Sequence, residues 1–181
     1  KPLWRTQNGA AWLNQYQGAR ASVTVSEGRV YHENAHGRLV CLEAATGKEL
    51  WVVNLLERFR GENIIWGLSE CLVVDERAVY ACAGGREALV VALDKRTGEL
   101  LWRTPPIFEE DETGAAETAT YAPPILARFA GKRLLIGCSA RRLFCIDADS
   151  GEMQWTRPRP TSYSVLAMSP VQVKDGVLKT A

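Results

Sequence analysis

Four-stranded antiparallel sheets, repeated along the chain without a helical layer, are what this sequence predicts, and three observations carry the prediction. The first is a phrase that occurs three times: CLEAATGKELW at residues 41–51, ALDKRTGELLW at 92–102 and CIDADSGEMQW at 145–155. The second is its spacing. KPLWRT at residues 1–6 matches the ELLWRT of residues 99–104, so Trp4 opens the series, and the steps Trp4 to Trp51 to Trp102 to Trp155 are 47, 51 and 53 residues. These steps are close to the ~40–50 residues of a propeller blade. The third is the content of each period, short apolar runs bounded by turns, with no amphipathic stretch of period 3.6 long enough for a helical solenoid. The predicted fold class is an all-β propeller built of four-stranded antiparallel blades.

Taken in order, residues 1–6 read as the last strand of a preceding blade, and residues 5–21 as an irregular connection rich in Gly, Asn and Gln. The first blade, residues 22–54, comprises SVTV (22–25), RVYHE (29–33), RLVCLEA (38–44) and ELWVVN (49–54), with turns at Glu27–Gly28 and Asn34–Gly37. The second, residues 70–104, runs through ECLVV, AVYACA, ALVVALD and ELLWRT; the third, residues 124–157, through PILARF, RLLIGCS, RLFCID and EMQWTR. PVQVKDG and VLKTA, residues 170–181, begin another. Closed rings have roughly four to eight blades, so the chain reads as an open fragment of about three and a half blades from a larger ring of roughly seven or eight. Isolated, such an arc is expected to expose apolar end faces and to aggregate or dimerise.

The third strand of each period is apolar on both faces. Leu39 and Cys41 alternate with Val40 and Leu42, and ALVVAL (88–93) and LFCI (143–146) behave alike. A strand buried on both sides reads as a continuous apolar run, which suits blades stacked face to face.

The repeated phrase has a structural logic. The acidic residue (Glu43, Asp94, Asp147) and the hydroxyl three positions later (Thr46, Thr97, Ser150) can accept hydrogen bonds from turn amides. The glycine (Gly47, Gly98, Gly151) supplies positive φ. The tryptophan four residues on (Trp51, Trp102, Trp155) covers a junction while its N–H seeks a carbonyl.

Composition excludes several classes. The 181 residues are 46% hydrophobic and 24% charged with a formal net charge of +1, so no global field favours nucleic acid. There is no apolar run long enough for a transmembrane helix. The absence of an initiator Met and of a signal pattern reads as an internal or processed fragment. The five cysteines (Cys41, Cys71, Cys82, Cys138, Cys145) form no CxxC pair, and Cys41 and Cys145 sit at equivalent repeat positions, as small buried apolar residues would.

The long connections between blades are where function is expected. Trp51 to Cys71 is 20 residues and Trp102 to Ile125 is 23, against about four to six for an ordinary connection. WGLSE offers an aromatic plane (Trp66), an approachable backbone (Gly67), a hydroxyl (Ser69) and a carboxylate (Glu70) just before an inner strand, while Arg20 and Tyr121 precede the neighbouring inner strands. These six residues are the candidate ligand- or partner-facing set. His32 and His36 lack a third metal ligand and read as an exposed polar edge. The acidic run Glu109, Glu110, Asp111 and Glu112 reads as a solvated loop tip. No Ser-His-Asp set, P-loop or dinucleotide fingerprint is present, and no catalytic or metal residue is assigned.

The repeated phrase, as it stands in AATGKELW and DKRTGELLW, resembles the pyrroloquinoline-quinone-type propeller repeat, over essentially the whole chain. In that family the tryptophans dock neighbouring blades. The resemblance implies one of three roles. One is an exported, periplasmic or otherwise extracytoplasmic binding or scaffold propeller, like the propeller subunit of the outer-membrane β-barrel assembly machinery, with a protein or small ligand on its face. Another is a quinoprotein alcohol or sugar dehydrogenase, with pyrroloquinoline quinone and calcium as cofactors and part of its site in further blades. The third is the ligand-sensing domain of a membrane-anchored kinase. Resembling dehydrogenases stack the quinone on a tryptophan, hold calcium with carboxylate and amide oxygens, use an aspartate base and often carry a disulfide between adjacent cysteines. Here no two cysteines are adjacent, and no Asp matches the base. The binding reading therefore leads.

Overall fold

The computed structural model describes residues 2–18, 21–108, 113–159, 167–172 and 178–179. Strands β1 (Thr24–Ser26), β2 (Arg29–Glu33), β3 (Arg38–Glu43) and β4 (Glu49–Asn54) pair antiparallel in chain order, and a short helix, α1 (Leu55–Phe59), follows. The second sheet is β5 (Val73–Val74), β6 (Ala78–Cys82), β7 (Val90–Asp94) and β8 (Leu100–Arg103); the third is β9 (Ile125–Phe129), β10 (Lys132–Cys138), β11 (Arg142–Asp147) and β12 (Met153–Pro158). A separate pair, β13 (Val171–Gln172) and β14 (Leu178–Lys179), comes last.

Alternation decides which face meets which neighbour. Leu39 and Cys41 join Val79, Ala81, Val91 and Leu93 in a core between the first and second sheets. Val40 and Leu42 point the other way, with Val30 and Trp4. Tyr80, Cys82, Val90 and Ala92 then meet Leu135, Phe144 and Ile146 between the second and third sheets. Each middle strand thus serves two cores, the physical reason for its unbroken apolar run.

The repeated phrase builds the same seam each time. The carbonyl after its acidic residue accepts the indole N–H of the preceding period: Trp4 Nε1 donates to Ala44 O at 2.8 Å, Trp51 to Lys95 O at 3.1 Å and Trp102 to Ala148 O at 3.0 Å. A side-chain carbon on Gly47, Gly98 or Gly151 would lie 2.5, 2.8 or 2.7 Å from the ring of Trp4, Trp51 or Trp102, so these glycines let the indole lie flat on the hairpin. All three have φ near the left-handed region, at 74°, 75° and 78°. Inside the hairpin Thr46, Thr97 and Ser150 accept the amide two residues on, each at 3.2 Å, and Asp94 and Asp147 accept two turn amides apiece. Each hairpin also carries a register shift directly after its tryptophan's partner, Cys41, Ala92 or Cys145.

Three features differ from the sequence expectation. Residues 2–6 form no strand, because no described strand lies beside them to complete a ladder, yet Trp4 takes the same seat as Trp51 and Trp102. The inner strand β5 is only Val73–Val74, shorter than ECLVV. Continued pairing would set Cys71 opposite Cys82, but the Glu70 carboxylate takes the Cys82 amide instead, at 2.6 Å. The third is α1, whose first turn is capped by the Asn54 side chain accepting Glu57 N–H at 3.2 Å and which buries Leu55 and Phe59.

Candidate functional site

The long connections and the turns between second and third strands pack at one end of the sheets. Residues 63–68 lie on the turn after β2, where Ala35 O accepts Asn63 Nδ2 at 2.8 Å and Leu68 N–H at 3.2 Å. Gly67, at φ 76°, sits so close that a side-chain carbon there would meet Ala35 at 2.8 Å. The next connection is tied to the sheet that it enters, where Ala140 N–H in the turn after β10 donates to Thr118 O at 3.1 Å.

An aromatic row spans this end. Trp66 is half-buried between Tyr16, edge-on with centroids 5.7 Å apart, and Tyr121, tilted at 5.5 Å. The Tyr121 hydroxyl accepts the Trp66 backbone N–H at 3.2 Å. Each ring comes from a different connection, and Tyr16 and Ile65 are 70% and 75% exposed. The row can offer ring faces and edges to an apolar or planar group.

The same end of the sheets also carries carboxyls that face inward. Glu33, Glu70 and Glu117 are 1%, 2% and 1% exposed. Glu70 Oε1 is engaged by Cys82 N–H, and Glu117 Oε1 accepts the Ser139 hydroxyl at 2.8 Å and Arg141 N–H at 2.6 Å. Both Glu33 oxygens and Glu70 Oε2 lack a hydrogen-bond partner. Burial first, and then the neighbouring Glu70, hold the Glu33 carboxyl well above the usual carboxylate range; burial pushes Glu70 up to about 7 against the pull of the Cys82 amide. The Cys82 thiol is pushed up by burial and then by Glu70, Glu33 and Glu117.

Of the six candidate residues, the structure brings Trp66, Gly67 and Tyr121 together. Ser69 is half-buried, Glu70 is turned inward onto β6, and Arg20 lies outside the described residues, as does the acidic run at 109–112. The expected exposed histidine edge is instead half-buried under the segment before β1: His32 Nδ1 is 2.8 Å from Asn8 Nδ2, and the His36 ring is 5.4 Å from that of Trp12. Buried Trp12 folds the segment back onto this turn, and the segment covers the histidines. Sequence reasoning missed Tyr16, Glu33 and Glu117. Glu33 had a signal: strand pairing aligns it with Cys82 and Cys138, so it is a carboxyl at a position that is otherwise a small apolar residue.

The described residues do not fit a calcium-quinone cradle. Calcium takes about six to eight oxygens. Of the oxygens on the three described inward carboxyls, both of Glu33, Glu70 Oε2 and Glu117 Oε2 accept no hydrogen bond, with Glu117 Oε2 facing Arg141 Nε at 3.4 Å, and no described group of three or more His, Cys, Asp and Glu could hold a metal.

Sheets stacked face to face, seamed by tryptophan and glycine, define a part of a β-propeller. The chain belongs to the pyrroloquinoline-quinone-like propeller repeat family, whose model, described as outer membrane protein assembly factor BamB, matches residues 1–178. It is 33% identical over 170 residues to a quinoprotein ethanol dehydrogenase of Pseudomonas aeruginosa, covering 87% of this chain and 25% of the relative. It is 30% identical, with the same coverages, to a quinone-dependent 1-butanol dehydrogenase of Thauera butanivorans. Among solved structures, the quinohemoprotein alcohol dehydrogenase of Comamonas testosteroni superposes with a TM-score of 0.63 at 19% identity, over 89% of this chain and 31% of that one. A computationally designed protein, Ika8, gives 0.53 at 18% identity over 92% and 43%. The chain spans about a quarter of the length of these curated relatives. No described helix is long and apolar enough to cross a membrane.

Proposed function

We propose that this chain is part of a binding or scaffold propeller, working outside the cytoplasm, whose aromatic row at Tyr16, Trp66 and Tyr121 receives a protein partner or a small ligand. The observation that carries the reading is the convergence of three rings from three separate connections at one end of the stacked sheets. The nearby carboxyls, by contrast, are inward-facing and, for Glu70 and Glu117, already engaged. The family model's description as an assembly factor is consistent with a propeller that binds protein and with an extracytoplasmic setting. The test is capture from the native source with the full-length polypeptide beside its Trp66→Ala and Tyr121→Ala variants. A partner recovered by the parent and lost from both folded variants supports the row as the contact. Recovery of nothing above background, from a well-folded parent, counts against it.

A second reading is a quinoprotein dehydrogenase, favoured by the 33% identity to the Pseudomonas aeruginosa enzyme. On that reading calcium ligands and a base come from chain beyond these 181 residues, and Trp66 is the aromatic plane for the quinone. A flanking sequence carrying an Asp with an Asn or Glu on matching loops would move it to the front.

A further inference from the structure

We propose that Glu33 and Glu70 form a proton-holding joint between the first and second sheets, closed while the pair keeps a proton and loosened when both carboxyls ionise. The two side chains come from different sheets, Glu33 from the end of β2 and Glu70 from the connection that enters β5, and each is at least 98% buried. Three of their four oxygens have no hydrogen-bond partner. A buried ion without a partner is strongly disfavoured, and two of one sign close together more so.

Among the described residues, the groups around the pair offer no countercharge. Cys82, from β6, gives Glu70 a backbone N–H and carries a thiol that is itself held protonated. Glu117, from the next connection, is a third carboxyl and is already bridged by Arg141 at 3.4 Å. His32 meets Asn8 and His36 meets Trp12. The joint is therefore satisfied by protons, and it sits where Leu68 and Asn63 fasten the connection to Ala35.

The sign follows from linkage. A carboxyl raised in the folded state contributes stability that is fully present below its unfolded value and is lost as pH rises through its folded value. For Glu70 that window runs from 4.5 to about 7, and Glu33, held well above the usual carboxylate range, acts in the same direction. Removing Glu70 from this linkage is expected to change the pH-dependent part of the folded-to-unfolded ratio on the order of a hundredfold between about pH 5 and about pH 8.

The joint is independent of whatever the aromatic row binds. Infrared spectra of the full-length polypeptide at neutral pH are expected to show the C=O band of a protonated carboxylic acid, removed by Glu33→Gln and shifted by Glu70→Gln. Denaturant titrations across the same pH range are expected to show stability falling with rising pH, with a flatter slope in both variants. Gln keeps the shape and, at position 70, the acceptor for Cys82 N–H. A parent without a protonated carboxyl band at neutral pH overturns the proposal, as does a pH slope that both folded variants leave unchanged.

Discussion

At one end of the stacked sheets the hairpins β3–β4, β7–β8 and β11–β12 make one contact three times, an indole N–H on the same carbonyl position at 2.8, 3.1 and 3.0 Å over a glycine. At the other end the periods diverge. Glu33 stands where the next two periods carry Cys82 and Cys138, helix α1 after β4 has no counterpart among the described residues, and the rings of Tyr16, Trp66 and Tyr121 come from connections with no common phrase. Repetition is what stacking requires, because every sheet must present the same seam to its neighbour. Departure from repetition marks positions that stacking does not dictate, and there an asymmetric binding surface can be placed.

The two ends should answer differently to the same substitution. Trp51 is buried and bonded across the seam, so Trp51→Ala should cost about 3–5 kcal/mol in denaturant unfolding of the full-length polypeptide. Trp66 is half-buried, and Trp66→Ala should cost only about 1–2 kcal/mol, mainly its contacts with the two tyrosines. Equal losses would mean that the row is packing and not a free surface. Gly98→Ala forces a side chain into the left-handed region and against Trp51, and should cost about 1–3 kcal/mol. Smallest, Tyr121→Phe removes the acceptor of Trp66 N–H and should cost about 0.5–1.5 kcal/mol, with a change in Trp66 emission as its optical signature.

The regular end was legible because its physics is local. An acidic residue, a hydroxyl, a glycine and a tryptophan at set offsets specify a hairpin and a ring above it, and doubly apolar strands such as RLVCLE specify two neighbours. Helix α1 was local too, with Asn54 three residues before Glu57, but five residues are too few for a periodic signal. The irregular end was half legible. Trp66 and Tyr121 stood out as aromatics in long connections, whereas Tyr16 is 50 residues from Trp66 and no pattern links them. Glu70 looked like a ligand-facing carboxylate because sequence shows a residue's chemistry but not its direction; only the shortened β5 turns it onto Cys82.

The most direct measurement is titration of the full-length polypeptide with pyrroloquinoline quinone, with and without calcium, followed by tryptophan fluorescence. A binding propeller of the kind proposed gives no saturable, calcium-dependent quenching, and its partner is to be sought among proteins and other small ligands. Stoichiometric quenching that requires calcium would contradict that reading and establish the quinone as a ligand.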